Sequence, residues 1–215
     1  GGGPDTLSRI CDPHDRDSLL YSDGAGAVIL EAVENDGTEG ILAHAVRSDC
    51  IDYSRMLIMG PSNLVGAKPG ELFLKMEGRK LYKYALNHVA GAMKACLDKA
   101  GVGLGAVSKI LIHQANWKMN EAIVDALYEL TGVDGPPAGM MPMTIGWLGN
   151  SSVATVPTLL DLIRKGQLEG QALHPNDLLL FASVGAGMNI NAVLYRVPAG
   201  EARGSFSSPA PPGWS

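Results

Sequence analysis

Short apolar runs bounded by glycine alternate along the chain with longer stretches in which apolar residues recur every three or four positions. After Asp23-Gly24-Ala25-Gly26-Ala27, the run Val28-Ile29-Leu30 reads as a buried strand. Ile41 to Val46, beyond the turn-forming Gly37 and Gly40, reads as the next one. Residues 51–70, with Pro61, Gly66, Pro69 and Gly70, read as loop. From about Glu71 to Ala100, the stripe through Leu81, Tyr84, Ala85, His88, Val89, Ala92, Met93, Cys96 and Leu97 predicts an amphipathic helix stopped by Gly101. Lys109 to Ile112 is a short strand ending on His113, and Asn116 to Leu130 is a second amphipathic helix ended by Gly132. Gly149-Asn150-Ser151-Ser152 introduces an apolar helical pattern through Ile163. Asp177 to Ala182 and Asn189 to Val197 read as strands joined by a tight turn at Gly185-Ala186-Gly187, a hairpin signal. Strands alternating with helices predict an α/β fold with helix-covered sheet faces. Residues 198–215 are rich in Pro, Gly and Ser and read as a disordered tail.

Composition acts mainly by exclusion. With 46% hydrophobic and 18% charged residues in 215, the chain has the balance of an ordinary soluble α/β protein. The net charge of −5, with no block of Lys and Arg, argues against a nucleic-acid surface. No apolar run reaches the length of a membrane span, and Gly1 to Asp5 has no signal-peptide pattern. Cys11, Cys50 and Cys96 are too far apart for a zinc knuckle or a disulfide framework, so free thiols and a cytoplasmic location are expected. His14, His44, His88, His113 and His174 show no ligand spacing, and no metal is expected.

Three loops are placed where reactive groups collect, at the end of a strand or the start of a helix. His113-Gln114-Ala115-Asn116 follows a strand and precedes a helix. Its imidazole can face a pocket in the neutral form, or be a half-buried structural side chain, with Gln114 and Asn116 capping the helix. The Asn150 amide can donate to a developing oxyanion, or simply cap the next helix. The small residues of the 185–187 turn let a ligand approach the backbone, or serve an ordinary hairpin. Asp23-Gly24-Ala25-Gly26-Ala27 reads as close packing between elements. Met140, Met141 and Met143 read as core filling, with a cavity lining as the other option.

Singly these signals are weak, and their order is what discriminates. Ser8-Arg9 with Asp12-Pro13 and Asp15-Arg16 comes first, then Asp23-Gly24-Ala25-Gly26-Ala27, then Leu74-Lys75-Met76-Glu77-Gly78 before a long helix. His113-Gln114-Ala115-Asn116, Gly149-Asn150-Ser151-Ser152 and Gly185-Ala186-Gly187 before a last strand follow in turn. This series, over residues 5 to about 197, resembles the β-ketoacyl–acyl-carrier-protein synthase III family. The resemblance implies a thiolase-like fold of two similar α/β halves. It makes residues 1–36 a remnant of the N-terminal half, 37–197 the C-terminal domain and 198–215 a tail.

The implied reaction is a decarboxylating Claisen condensation in fatty-acid chain initiation. Its substrates are acyl-CoA and malonyl-acyl-carrier-protein, and no cofactor takes part. His113 and Asn150 match the catalytic pair that stabilises the malonyl enolate. Ala186, within Gly185-Ala186-Gly187, matches the backbone oxyanion donor, although glycine is more usual there. Lys118 matches a carrier-docking position and Asn116 a pantetheine contact. The family's nucleophilic Cys lies in the N-terminal half, and none of Cys11, Cys50 and Cys96 fits it. The resemblance therefore implies a chain inactive alone, acting as a homodimer or beside a Cys-bearing half. A non-catalytic partner subunit and a secondary-metabolite ketosynthase are the competing readings.

Overall fold

The computed structural model describes residues 2–199. Of the tail predicted at 198–215, residues 200–215 lie outside the described residues. In chain order the elements are β1 (Gly2–Thr6), β2 (Asp23–Ala27), β3 (Gly40–Ser48), α1 (Cys50–Tyr53), β4 (Leu57–Gly60) and β5 (Phe73–Met76). They continue with α2 (Gly78–Ala100), β6 (Lys109–Ile112), α3 (Trp117–Thr131), α4 (Ile145–Leu148), α5 (Thr155–Arg164), β7 (Leu178–Gly185) and β8 (Asn189–Arg196).

The centre is a four-stranded mixed sheet in the order β3-β8-β7-β6. The hairpin β7–β8 is antiparallel, and β6 runs parallel to β7. Alternation along β6 explains why the three residues that follow Lys109 are all apolar. Ile110 and Ile112 enter the main core with α2 and α3, while Leu111 joins Leu159 and Ile163 of α5 on the opposite face. A strand covered on both faces has no position left for a polar residue. Helices α2 and α3 each end on a left-handed glycine, Gly101 at φ 66° and Gly132 at φ 66°, where the sequence placed their stops.

Three expectations need correction. Val28-Ile29-Leu30 is not a buried strand: Ile29 is 95% exposed, and the strand is the glycine-rich segment before it, paired with β1. Those glycines let the β1–β2 ribbon press onto the start of α5. A Cβ on Gly24 would lie 2.7 Å from the Ser151 Cβ, and one on Gly26 would lie 2.7 Å from the Pro157 Cβ. The second correction concerns residues 51–70. They are not uniform loop, because Leu57–Gly60 pairs antiparallel with Phe73–Met76. The long helix consequently starts at Gly78 rather than near Glu71. Lastly, β7 runs on to Gly185, three residues beyond its expected end.

A buried ionic knot explains the β4–β5 excursion. The Asp12 carboxylate, with no exposed surface, accepts from Lys75 Nζ at 2.5 Å, Asn63 N at 2.6 Å, Ser62 Oγ at 2.9 Å and His14 N at 3.0 Å. Burial pushes this carboxyl's pKa up. Lys75 and the convergent donors outweigh that and hold it well below the usual carboxylate range. Lys75 points inward from β5, so the charge that interrupts the apolar pattern of 73–76 is the residue that anchors the strand.

Candidate active site

Strand β6 delivers His113 to the carboxyl edge of the sheet, where the imidazole's backbone is held from both sides. His113 N donates to Ala182 O at 2.9 Å, and Asn120 Nδ2 donates to His113 O at 3.0 Å. Asn116 caps α3, its Oδ1 accepting from Met119 N at 3.1 Å. Gln114 does not cap α3; its Oε1 instead accepts from Ile145 N, at the start of α4, at 3.3 Å. It is fully buried, donates to Ile112 O at 2.9 Å and accepts from Thr144 N at 2.8 Å, tying the His113 loop to the segment that leads to Asn150.

Asn150 is placed by backbone geometry. The preceding Gly149 has φ 69° and ψ −167°, a region open essentially to glycine alone. Asn150 N then donates to Leu20 O at 2.8 Å, and its carbonyl accepts from Ser22 N at 3.0 Å, so the N-terminal segment grips the residue on both sides. The side-chain Oδ1 accepts from Ser152 N at 2.9 Å, which leaves the Nδ2 donors unspent. This local turn is not the cap of α5, whose first residue is Thr155.

The third loop is the β7–β8 turn. Gly187 (φ 76°) and Met188 (φ 52°) both take left-handed backbone conformations. The Met188 carbonyl accepts from Tyr84 Oη and Asp49 N, each at 3.1 Å, which holds a non-glycine residue where it would not otherwise settle. Asn189 Nδ2 donates to Ala186 O at 2.9 Å and fixes the next peptide.

The three loops meet. His113, Asn116, Asn150, Gly185 and Ala186 line one cavity of about 660 Å³, whose apolar wall includes Leu7, Leu57, Leu74, Met76 and Leu81. Gly187 shapes the turn without lining the cavity, and Lys118 is exposed on α3. Sequence reasoning missed Thr155, which also lines the cavity and whose Oγ1 lies 2.7 Å from His113 Nδ1. A threonine in an apolar helical run carries no pattern that would single it out. Met140 and Met141 belong to the main core, as expected of gap-filling residues.

Desolvation in the cavity wall pushes the His113 pKa down from 6.5 to about 4. The folded chain therefore resists a proton that the unfolded chain accepts. Its contribution to stability is complete above about pH 6.5 and is lost as pH falls toward about 4. Histidine NMR titration is expected to put the His113 midpoint well below 6.5, and a midpoint at 6.5 or above contradicts this environment.

Among the described residues no cysteine lines this cavity: Cys11 is half-buried, Cys50 exposed and Cys96 buried. Burial pushes the Cys11 and Cys96 thiols up, the direction opposite to an activated nucleophile. No group of three His, Cys, Asp or Glu able to hold a metal ion occurs among the described residues.

The family model for the C-terminal part of 3-oxoacyl-[acyl-carrier-protein] synthase III matches residues 97–197. A second model for the same synthase matches residues 3–50. The chain belongs to the 3-oxoacyl-[acyl-carrier-protein] synthase III family.

Among curated members, the β-ketoacyl-[acyl-carrier-protein] synthase III of Synechococcus sp. is 33% identical over 203 residues, covering 90% of this chain and 56% of its own length. That of Erythrobacter litoralis is 35% identical over 201 residues, with 90% and 57% covered. Among solved structures, the synthase III of Pseudomonas aeruginosa PAO1 superposes with a TM-score of 0.74 at 27% identity, over 92% of this chain and 57% of that one. The Aquifex aeolicus enzyme gives 0.72 at 29% identity, over 91% and 56%. The fold is thus thiolase-like, and the chain spans a little over half the length of these relatives.

Proposed function

We propose that this chain supplies the enolate-stabilising part of a β-ketoacyl-acyl-carrier-protein synthase III, whose reaction also needs the nucleophilic Cys of the family's N-terminal half. Residues 1–36 belong with that half and 37–197 form the C-terminal domain. The observation that carries the reading is the convergence of His113, Asn150 and Ala186 on one cavity.

The chemistry follows from what each group can donate. The Cys thiolate of the other half attacks the acyl-CoA thioester and expels CoA as a thiolate. Malonyl-acyl-carrier-protein then loses CO₂, and the electrons of the broken C–C bond pass into an enolate. The Asn150 amide and a neutral His113 ring donate to the enolate oxygen as its charge grows, an interaction stronger in the transition state than in the ground state. The enolate carbon attacks the acyl-Cys carbonyl, the Ala186 N–H holds the resulting oxyanion, and the Cys thiolate leaves. Lys118, exposed beside the cavity rim residue Asn116, meets the acidic carrier protein, and Asn116 contacts the pantetheine arm. Acyl-CoA and malonyl-acyl-carrier-protein are the substrates, no cofactor is required, and the assembly works in the cytoplasm.

Reconstitution tests this directly. Co-purification with a Cys-bearing N-terminal half of a synthase III is expected to yield β-ketoacyl-carrier-protein from acyl-CoA and malonyl-carrier-protein, with neither part active by itself. A correctly assembled pair that makes no product, or full turnover by this chain alone, contradicts the proposal.

A further inference from the structure

His113 is neutral near pH 7 and so carries one ring proton. Whether it can donate into the cavity depends on which nitrogen holds that proton. Nδ1 is engaged by Thr155 Oγ1 at 2.7 Å, which leaves Nε2 to meet a ligand. The threonine hydroxyl has one proton and two acceptors within reach, His113 Nδ1 at 2.7 Å and Ser152 O at 2.9 Å. Its choice fixes the tautomer. If the hydroxyl donates to Ser152 O, the ring must donate from Nδ1, and Nε2 is a bare lone pair. If it donates to Nδ1, the proton sits on Nε2.

We propose that Thr155 is a positioning residue whose hydroxyl donates to His113 Nδ1 and thereby presents Nε2–H to the cavity. Three observations support this assignment. The Ser152 carbonyl already accepts the backbone N–H of Thr155, so it is satisfied without the hydroxyl. The ring approach is the shorter of the two contacts. The His113 backbone is pinned at both N and O, so the side-chain torsions are the remaining freedom. A β-branched threonine with a stiff χ1 is suited to hold them. The contact also joins the two loops of the site, because Thr155 opens the helix that follows Asn150.

The inference rests on the reading of His113 as an enolate donor, since a bare Nε2 would repel the charge that the site must stabilise. The test is a two-bond ¹⁵N–¹H correlation spectrum of the full chain with ¹⁵N-labelled histidine, in which protonated and bare ring nitrogens are distinct. The wild-type chain and Thr155→Ser are expected to show His113 with the proton on Nε2 and a hydrogen-bonded, bare Nδ1. Thr155→Val is expected to lose that Nδ1 signature and show a tautomer mixture, with the other four imidazoles unchanged as a control on folding. An Nδ1–H pattern in the wild type, or a Thr155→Val spectrum identical to it, overturns the assignment. Should Thr155→Val not fold, the wild-type and Thr155→Ser spectra still decide.

In the reconstituted assembly, Thr155→Val is expected to lower kcat for malonyl decarboxylation by about tenfold or more with little change in KM, and Thr155→Ser to retain it. An unchanged kcat in Thr155→Val overturns the positioning role. Failure of the wider enolate reading has a different signature, normal turnover in His113→Ala with the wild-type tautomer as described.

Discussion

In an assembly with a Cys-bearing half, His113→Ala and Asn150→Ala are each expected to slow malonyl decarboxylation by roughly a hundredfold or more, the usual cost of deleting one oxyanion donor. The loss is expected in kcat more than in KM, because both groups meet charge that exists only as CO₂ leaves. On the proposed reading both side chains serve one oxygen, so the double variant is expected to lose less than the product of the two single losses. Transfer of the acyl group from CoA to the Cys of the other half is expected to survive, since the proposal has the Ala186 turn hold the oxyanion of that step. Rates measured separately for acyl transfer and for decarboxylation check the split. If decarboxylation is indifferent to both substitutions, the chain is a non-catalytic partner.

The second large effect is structural and lies away from the reacting atoms. Gly24→Ala is expected to destabilise the chain by about 1–3 kcal/mol through overpacking. The added Cβ would sit 2.7 Å from the Ser151 Cβ and 3.3 Å from the Ala154 Cβ, and both of these residues are buried. Relief requires the β1–β2 ribbon to lift or the 151–154 turn to shift. The same N-terminal segment grips Asn150 through Leu20 O and Ser22 N, so a shift there also displaces the carboxamide. Denaturant unfolding of Gly24→Ala is expected to show a lower midpoint at unchanged slope. An unchanged midpoint would mean that the ribbon does not press on the helix as described.

The sequence showed most of what local chemistry dictates and little of what distant packing imposes. The His113 strand, the α3 cap at Asn116 and the glycine stops at 101 and 132 were legible because each rests on residues adjacent in the chain. The hairpin at 185–187 was legible for the same reason. The order of the motifs carried the rest of the site. Strands β4 and β5 were hidden because their pairing crosses a glycine- and proline-rich segment, and because Lys75 breaks the apolar run to reach Asp12, distant in the chain. Val28-Ile29-Leu30 misled because an apolar run signals burial only where something covers it. Gln114 and Thr155 were missed as supports because their partners, Thr144 and His113, are remote in sequence. A side chain that acts by bracing another leaves no local pattern.

The central claim is that His113 and Asn150 act on one oxygen, and a crystal structure of the reconstituted assembly with a non-hydrolysable malonyl-thioester analogue tests it most directly. The thioester oxygen is expected within about 2.7–3.1 Å of both His113 Nε2 and Asn150 Nδ2, beside the Ala186 turn. An analogue bound with that oxygen on other donors, and with the two side chains contacting only protein, contradicts the account.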